Sequence, residues 1–408
     1  MSGAGLELLD LVARWVHVIA GIMWIGNSLL FNWLDRNLVP PPPRPQTPRP
    51  AGIIWLLHSG GFYYVEKTLL EGAALPARLH WFKWQAYSTW WSGALLLLVV
   101  YYLGGRALLA DPGVAPLSHS QAVLVGAGAI VGGWALYETM QRFVAPRAPA
   151  LAMVVWTAGL TAIAIALTQL LNGRAAFLHT GAMLGTIMAA NVVLTIVPSQ
   201  RALVASVAER REGGAELSAR AKRVSIHNNY FTFPVIVLML SGHFPALYSH
   251  PRNWLLLLVL IAGGAAVRHV LNIRFGWRAW RPALATTLAA TVGALYAILR
   301  TGSSGAAVQA SEPGAPVSFA EARHVIDRRC GSCHSVRPSD LSFGAAPGGV
   351  TFDTPEQIIA RAARIRERAV LTRTMPPGNR THISEEERAL LSRWIAQGAT
   401  TGTPQLPR

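Results

Sequence analysis

The chain is short of cysteine, of charge and above all of acidic residues. Two cysteines in 408 residues leave no second Cys pair from which to build a closed zinc site. Charged residues make up only 14% of the chain against 52% hydrophobic, a balance that excludes an ordinary soluble enzyme. The 20 acidic side chains face 36 basic ones, for a net charge of +16. An excess of that size raises the question of a nucleic-acid partner, which the placement of the basic residues answers below. A basic N-terminal region is missing too: the tail carries Glu7 and Asp10, so no cleavable signal peptide is expected.

Both cysteines fall in one motif, Cys330-Gly331-Ser332-Cys333-His334, the Cys-x-x-Cys-His signature of c-type haem attachment. Two thiols three positions apart can each form a thioether to one haem edge, and the next imidazole then lies under the iron as proximal ligand. A thioredoxin-like dithiol would want a βαβ setting, and half a zinc site would want further ligands. Thr374-Met375-Pro376-Pro377 places a methionine on a loop well downstream. Met375 is the expected distal ligand, with His382 as rival and a core methionine as the structural alternative. His/Met ligation gives a low-spin iron of raised potential, suited to electron transfer. The capping signals Ser318-x-x-Glu321, Thr354-Pro355-Glu356-Gln357 and Ser384-x-x-Glu387 predict three helices around the motif. The expectation for 317–408 is therefore a small class I-like cytochrome c domain, joined through a Gly, Ser, Ala and Pro-rich linker over 301–316.

Covalent haem attachment takes place on the outer face of the bacterial inner membrane, so residues after about 300 are expected in the periplasm. Nearly all the apolar excess lies before that point. Stretches near the ~20 apolar residues that a bilayer requires fall at 9–31, 84–103, 120–141, 150–171, 176–197, 229–247, 253–272 and 282–299. The expected fold is thus all-α, a polytopic bundle of about eight transmembrane helices over 1–300. An even count puts both termini on the periplasmic side. The segments then assigned to the cytoplasm, 32–83, 142–149, 198–228 and 273–281, hold 17 basic residues, against Arg106, Arg174 and Arg252 in the opposite loops. That is the positive-inside asymmetry of a multi-pass inner-membrane protein. It accounts for the net charge and makes a nucleic-acid partner unnecessary, leaving membrane lipid as the surroundings.

Within this frame, ionisable residues at membrane depth are functional candidates. The first span carries Arg14 and His17. Val39 to Pro50 reads as a polyproline spacer, and Ile53 to Lys67, too short to span, as an interfacial or re-entrant segment with aromatic anchors. Leu79-His80-Trp81-Phe82-Lys83-Trp84 forms an aromatic and basic belt. The densest polar cluster is His227-Asn228-Asn229-Tyr230 at the entrance of the sixth span, with Arg268, His269 and Asn272 on the seventh. These amide, imidazole and phenol groups form a donor and acceptor set for a planar polar ligand, or else Asn228 or Asn229 caps the helix. Arg268 either pairs with Glu138 or holds an anionic substrate. Sorted by depth, His58, His80, His227 and His269 lie near the cytoplasm, and His17, His179 and His243 in the periplasmic half. If oxidation occurs in the lower layer, electrons must cross much of the bilayer, and His17, His179 and His243 become the candidates for an intramembrane haem b.

With these residues in hand, the chain resembles the membrane-bound urate oxidases, urate hydroxylases of the PuuD type, in which an eight-span membrane domain is fused to a C-terminal cytochrome c. The likeness runs through the first span with His17, Phe62 to Lys67, Leu79 to Trp84, Gly181 to Asn191, the His227 block through His243, Arg268-His269 and the Cys330 to Met375 segment. Two positions depart from the family pattern: Gln85 stands for an acidic residue and Gly242 for an amide. The resemblance implies a purine-catabolic oxidoreductase that converts urate to 5-hydroxyisourate, water supplying the oxygen. Electrons would leave through haem c to a periplasmic cytochrome c or a terminal oxidase. Arg268 or Lys83 would hold the urate anion, Asn228 and Asn229 its amide edges, and a neutral histidine would take its proton. Two other readings stay open: a membrane dehydrogenase of a quinol or another purine, and a non-catalytic cytochrome c electron carrier.

Overall fold

A computed structural model describes residues 3–42, 50–68, 76, 78–103, 106–209, 214–305, 316–340 and 346–401. The chain opens with α1 (Gly3–Asn37), whose 35 residues rise about 50 Å, well past the thickness of a bilayer core. Leu11, Trp15 and Ile22 are exposed along it by more than 60%, an apolar flank of the kind lipid covers.

The next segment corrects the all-α expectation. β1 (Pro50–His58) and β2 (Gly61–Thr68) form an antiparallel hairpin in which Trp55 faces Tyr64 and Leu57 faces Phe62. Ser59 and Gly60 turn the chain with positive φ, 49° and 76°, which glycine takes without strain. β-branched and aromatic residues on both sides of Ser-Gly-Gly are a hairpin signal; the interfacial reading took the aromatics as anchors and overlooked their strand propensity. Val39 bridges Ile53, so the start of the proline-rich stretch is tied to the sheet, while 43–49 lie outside the described residues.

Helices follow in order: α2 (Lys83–Leu96), which passes into a π-helical turn at Leu97–Tyr102, α3 (Arg106–Leu109), α4 (His119–Thr139), α5 (Pro149–Leu170) and α6 (Gly173–Ala190). Another π turn, Asn191–Ile196, leads from α6 into α7 (Val197–Ala208). Pro198 explains it, because proline donates no hydrogen bond and crowds the preceding turn. Then come α8 (Gly214–Leu240), α9 (Pro245–Tyr248), α10 (Asn253–Ile273) and α11 (Trp280–Gly305). Among the described residues, six helices are long and apolar enough to cross a membrane: Leu8–Asn37, His119–Val144, Pro149–Leu170, Gly173–Ala208, Asn253–Ile273 and Trp280–Thr301. The stretches at 84–103 and 229–247 are outside this set. The first is α2 with its π turn, rich in Ser, Thr and Gln; the second is corrected in extent, since α8 stops at Leu240 and a 3-10 turn, Ser241–His243, follows.

The bundle is built around α6. Its face buries Phe177, Met183 and Ile187 against Tyr137 of α4, Trp156 and Leu160 of α5, Leu238 of α8 and Leu256 of α10. Gly133 leaves room for this packing, because a Cβ there would collide with Met183 Sδ and force that side chain to move.

The C-terminal segment has its own core, in which Val325, Ile326, Ile358, Leu391 and Trp394 are buried together. Its helices are α12 (Phe319–Arg329), α13 (Pro355–Ala360), α14 (Ala362–Ile365) and α15 (Glu385–Ala396). All three capping boxes read from the sequence are formed, at Ser318, Thr354 and Ser384. Of the linker, 301–305 continue α11, and 306–315 lie outside the described residues. The turn Pro377–Asn379 packs on α3, and the Arg368 guanidinium acts on the Tyr248 phenol. The C-terminal segment thus meets the bundle at the end that carries the Arg106 and Arg252 loops.

Candidate functional site

A cavity of about 500 Å³ lies at the opposite end of the bundle, between α1, residues 79–83, α2, the α6–α7 junction and α8. Trp24, Phe31, Trp81 and Phe82 supply its rings, and Asn27, His80, Lys83, Gln85, Gln200, Ser225 and Asn228 its polar groups. Asn27 Nδ2 donates to Gln85 Oε1 at 2.6 Å, so two amides from different helices form one hydrogen-bonding edge. Lys83 Nζ lies 5.9 Å from the Trp81 ring and 5.6 Å from the Trp84 ring, which holds a cation over flat apolar surface at the rim. A larger groove of about 640 Å³ between α10 and α11 is lined by Ala, Gly, Val and Thr. It offers no charge to an anion, and the smaller cavity is the better site on chemical grounds.

Asn228 connects the cavity to a buried network. Asn191, placed at the π turn, donates through Nδ2 to Asn228 Oδ1 (2.8 Å) and to Tyr137 Oη (3.1 Å). Asn228 Nδ2 in turn donates to Met188 O at 3.0 Å. Tyr137 Oη is 2.7 Å from His227 Nδ1. Tyr137 Oη, which accepts from Asn191, keeps one proton and a second lone pair, so its bond to His227 Nδ1 runs in the direction the imidazole tautomer sets. His227 also packs on Trp156, with centroids 5.7 Å apart. It stands behind Asn228, outside the cavity lining.

The other polar residues of that cluster form a separate group. Asn229 Oδ1 accepts from Arg268 Nε at 3.0 Å and from Asn272 Nδ2 at 2.7 Å, and Tyr230 Oη lies 2.7 Å from His269 Nδ1. Arg268 takes Asn229, and not Glu138, as its partner. None of Asn229, Tyr230, Arg268 and His269 lines the cavity.

The three deeper histidines sit at the far end. His17 Nδ1 contacts Thr89 O (2.9 Å) and Ser92 Oγ (3.2 Å). His179 is fully buried, with Nδ1 on Ala175 O (2.8 Å) and Nε2 on the Tyr102 hydroxyl (3.2 Å). Both of its ring nitrogens are engaged, so an iron on His179 requires the loss of Tyr102. His243 is exposed on its 3-10 turn.

Cys330 and Cys333 are free thiols. Burial pushes the Cys330 thiol up to about 12, and burial followed by the Asp340 carboxylate raises that of Cys333. His334 Nδ1 lies 3.0 Å from Val350 O; a donor on Nδ1 leaves the Nε2 lone pair free for a metal. Met375 is half-buried and stands outside the buried core. Its N–H is held by Arg368 O at 3.0 Å and its carbonyl accepts from Arg388 Nη1 at 3.3 Å. Arg388 also donates to Ala369 O. Two free thiols, an imidazole with Nε2 available and a methionine that fills no core position fit a covalently held haem. No group of three or more His, Cys, Asp or Glu side chains is gathered to hold a metal among the described residues, so the half-zinc alternative finds no further ligands.

Residues 4–300 match the model of the family described as Urate oxidase N-terminal. The chain belongs to that family. No curated protein and no solved structure matches it. The match ends before Cys330, so the urate-oxidase region contains the cavity and the networks, and the haem-type motif lies beyond it. Of the residues read from the sequence as substrate contacts, this urate-oxidase region brings Asn228 and Lys83 to the cavity, with His227 one bond network behind. Asn27, His80, Trp81 and Gln200 were missed as site residues. A signal existed in Leu79 to Gln85, where a histidine, a lysine and an amide alternate with rings, but such residues also mark a membrane interface.

Proposed function

We propose that this urate-oxidase family member oxidises urate in the 500 Å³ cavity and passes the electrons to a haem c on its own C-terminal segment. The balanced half-reaction is urate plus water giving 5-hydroxyisourate, two protons and two electrons. The observation that carries the reading is the cavity lining: a lysine, four amides and aromatic rings suit a planar monoanion with lactam edges. Lys83 holds the negative charge at the rim. Gln85 and Asn27 read one lactam edge, while Asn228, oriented by Asn191 and Met188 O, reads another. Trp81 and Phe82 exclude bulk water from the ring faces. His80, inside the lining, is the group placed to take a proton released by the substrate; His227, bonded through Nδ1 to Tyr137, fixes the middle of α8 beside Asn228.

Cys330 and Cys333 would hold the haem covalently, and His334 and Met375 would be the side chains that bind its iron. Bound there, it would supply a one-electron acceptor of raised potential. We place the chain in the bacterial inner membrane with eight passes, the two less apolar helices included. The N-terminus and the 317–408 cytochrome domain then face the periplasm, where a soluble cytochrome c or a terminal oxidase takes the electrons.

The test is an anaerobic spectrum of the detergent-solubilised full chain before and after urate is added, with a pyridine haemochrome assay of the same sample. Reduction of haem c by urate is expected. Prompt reduction by a quinol or another purine, with none by urate, would replace the substrate, and Gln85, neutral where an acid is expected, would be the first position to reverse. No reduction by any of these would make the chain an electron carrier.

A further inference from the structure

Near its end, α10 buries a guanidinium that no described residue neutralises. Arg268 is 3% exposed. Its Nε donates to Asn229 Oδ1 and its plane lies over the Phe233 ring at 5.5 Å. Its Nη2, however, is buried without a hydrogen-bond partner among the described residues, and so is Oδ1 of Asn272, one turn further along the helix. The other charged or ionisable groups acting on Arg268 are Arg274, of the same sign, and the Tyr230 phenol. Burying an uncompensated cation is strongly unfavourable, and native proteins answer such a charge with an anion. Because Asn229 Oδ1 takes both Arg268 Nε and Asn272 Nδ2, the two orphan atoms are gathered around one amide: a cationic donor and a neutral acceptor.

The position of this pair narrows the ligand. α10 ends at Ile273 and is followed by Arg274, Trp277, Arg278, Trp280 and Arg281, the aromatic and basic belt of a membrane surface. Arg268 lies five residues, about 7.5 Å, inside that belt, within reach of a headgroup along a snorkelling stem. The seam beside it is edged by Tyr230 and the exposed His269, whose rings stack with centroids 6.0 Å apart. None of this group touches the 500 Å³ cavity.

We infer that the α8–α10 seam is a phosphate-binding site, in which Arg268 Nη2 takes a phosphate oxygen and Asn272 Oδ1 accepts from a hydroxyl or ammonium next to it. That combination occurs in phosphatidylglycerol and phosphatidylethanolamine headgroups and in protonated inorganic phosphate. Urate, the rival anion, is assigned to the cavity.

The test uses the delipidated full chain and three probes: mixed micelles of phosphatidylglycerol in phosphatidylcholine, inorganic phosphate, and urate. Native mass spectrometry counts retained phospholipid, and the thermal midpoint reports binding. Wild type is expected to keep one phosphatidylglycerol through detergent exchange and to gain thermal stability from it. Arg268→Gln should weaken that binding about ten- to a hundredfold, the value of one charge-assisted hydrogen bond, and Asn272→Leu about two- to tenfold, the value of a neutral one. Since Arg268→Gln can unfold the seam, Asn272→Leu, which keeps the guanidinium, is the deciding variant. Displacement of the lipid by inorganic phosphate would identify free phosphate as the source, and resistance to it would identify the headgroup. Equal lipid retention in wild type and Asn272→Leu, or protection by urate alone that Asn272→Leu removes, would overturn the site.

Discussion

Replacing Glu387 with Gln tests how the haem-motif loop is held. Arg329, the residue before Cys330, places Nε 2.9 Å from both Glu387 carboxylate oxygens and Nη2 2.9 Å from Oε1. Its Nη1 donates to Thr381 O at 2.5 Å, and Thr381 Oγ1 returns a bond to Arg329 O at 2.8 Å. One ion pair therefore ties the start of the Cys-x-x-Cys-His loop to α15 and to the end of the Met375 loop. Side-chain exposures of 15% and 19% mark it as sheltered. Burial by itself would raise the Glu387 pKa; the Arg329 guanidinium and the Ser384 N–H outweigh it and hold the carboxyl below its ordinary range. A lowered folded pKa means that the stabilisation is complete above the unfolded value of about 4.3 and is lost as pH falls through the folded one. Glutamine keeps an oxygen for Ser384 N (2.8 Å in the wild type) but loses the charge. The cost is about 2 kcal/mol, within the range for a hydrogen bond to a charged group and below the 3–5 kcal/mol of a fully buried pair. At pH 7 that is roughly a thirtyfold fall in amide protection across 319–396 where exchange follows unfolding of this segment, read by hydrogen-exchange mass spectrometry of the full chain. The gap between variant and wild type should close as pH is lowered through the carboxylate range. Unchanged protection at pH 7, or a gap that persists at acid pH, would refute the reasoning.

Three further outcomes follow from the same geometry. Tyr137→Phe removes the bonds to His227 Nδ1 and Asn191, and should cost about 1–3 kcal/mol in thermal stability and slow urate oxidation while leaving haem content unchanged; a midpoint equal to wild type would contradict the network. Lys83→Met should raise KM for urate about tenfold or more with a smaller effect on kcat, since the charge acts on bound and reacting anion alike; an unchanged KM would remove Lys83 from the site. Met375→Leu should shift the haem spectrum toward high spin and lower its potential; an unaltered spectrum would pass the ligand role to His382.

Local chemistry made much of this protein legible without coordinates. The three capping boxes formed because Ser or Thr with Glu or Gln three residues on satisfies helix-end donors within one turn. The apolar runs that became α4, α5, α6, α10 and α11 were readable because length and composition alone decide whether a helix can cross a membrane. The 50–68 hairpin was misread because ring-rich segments serve both strand edges and membrane interfaces, and turn chemistry at Ser59 and Gly60 had to choose between them.

The sequence by itself determined the helical membrane-type architecture, the Cys330 to His334 motif and the set of polar residues at membrane depth, since each depends on neighbours along the chain. Only the tertiary structure decided how those polar residues are shared out. On α8 the consecutive Asn228 and Asn229 point about 100° apart, so one faces Asn191 and the cavity while the other faces Arg268 on α10. The cavity also draws Asn27, His80, Gln85 and Gln200 from segments far apart in the chain. A 3.6-residue helix repeat fixes which residues share a face, but helix packing decides what that face meets.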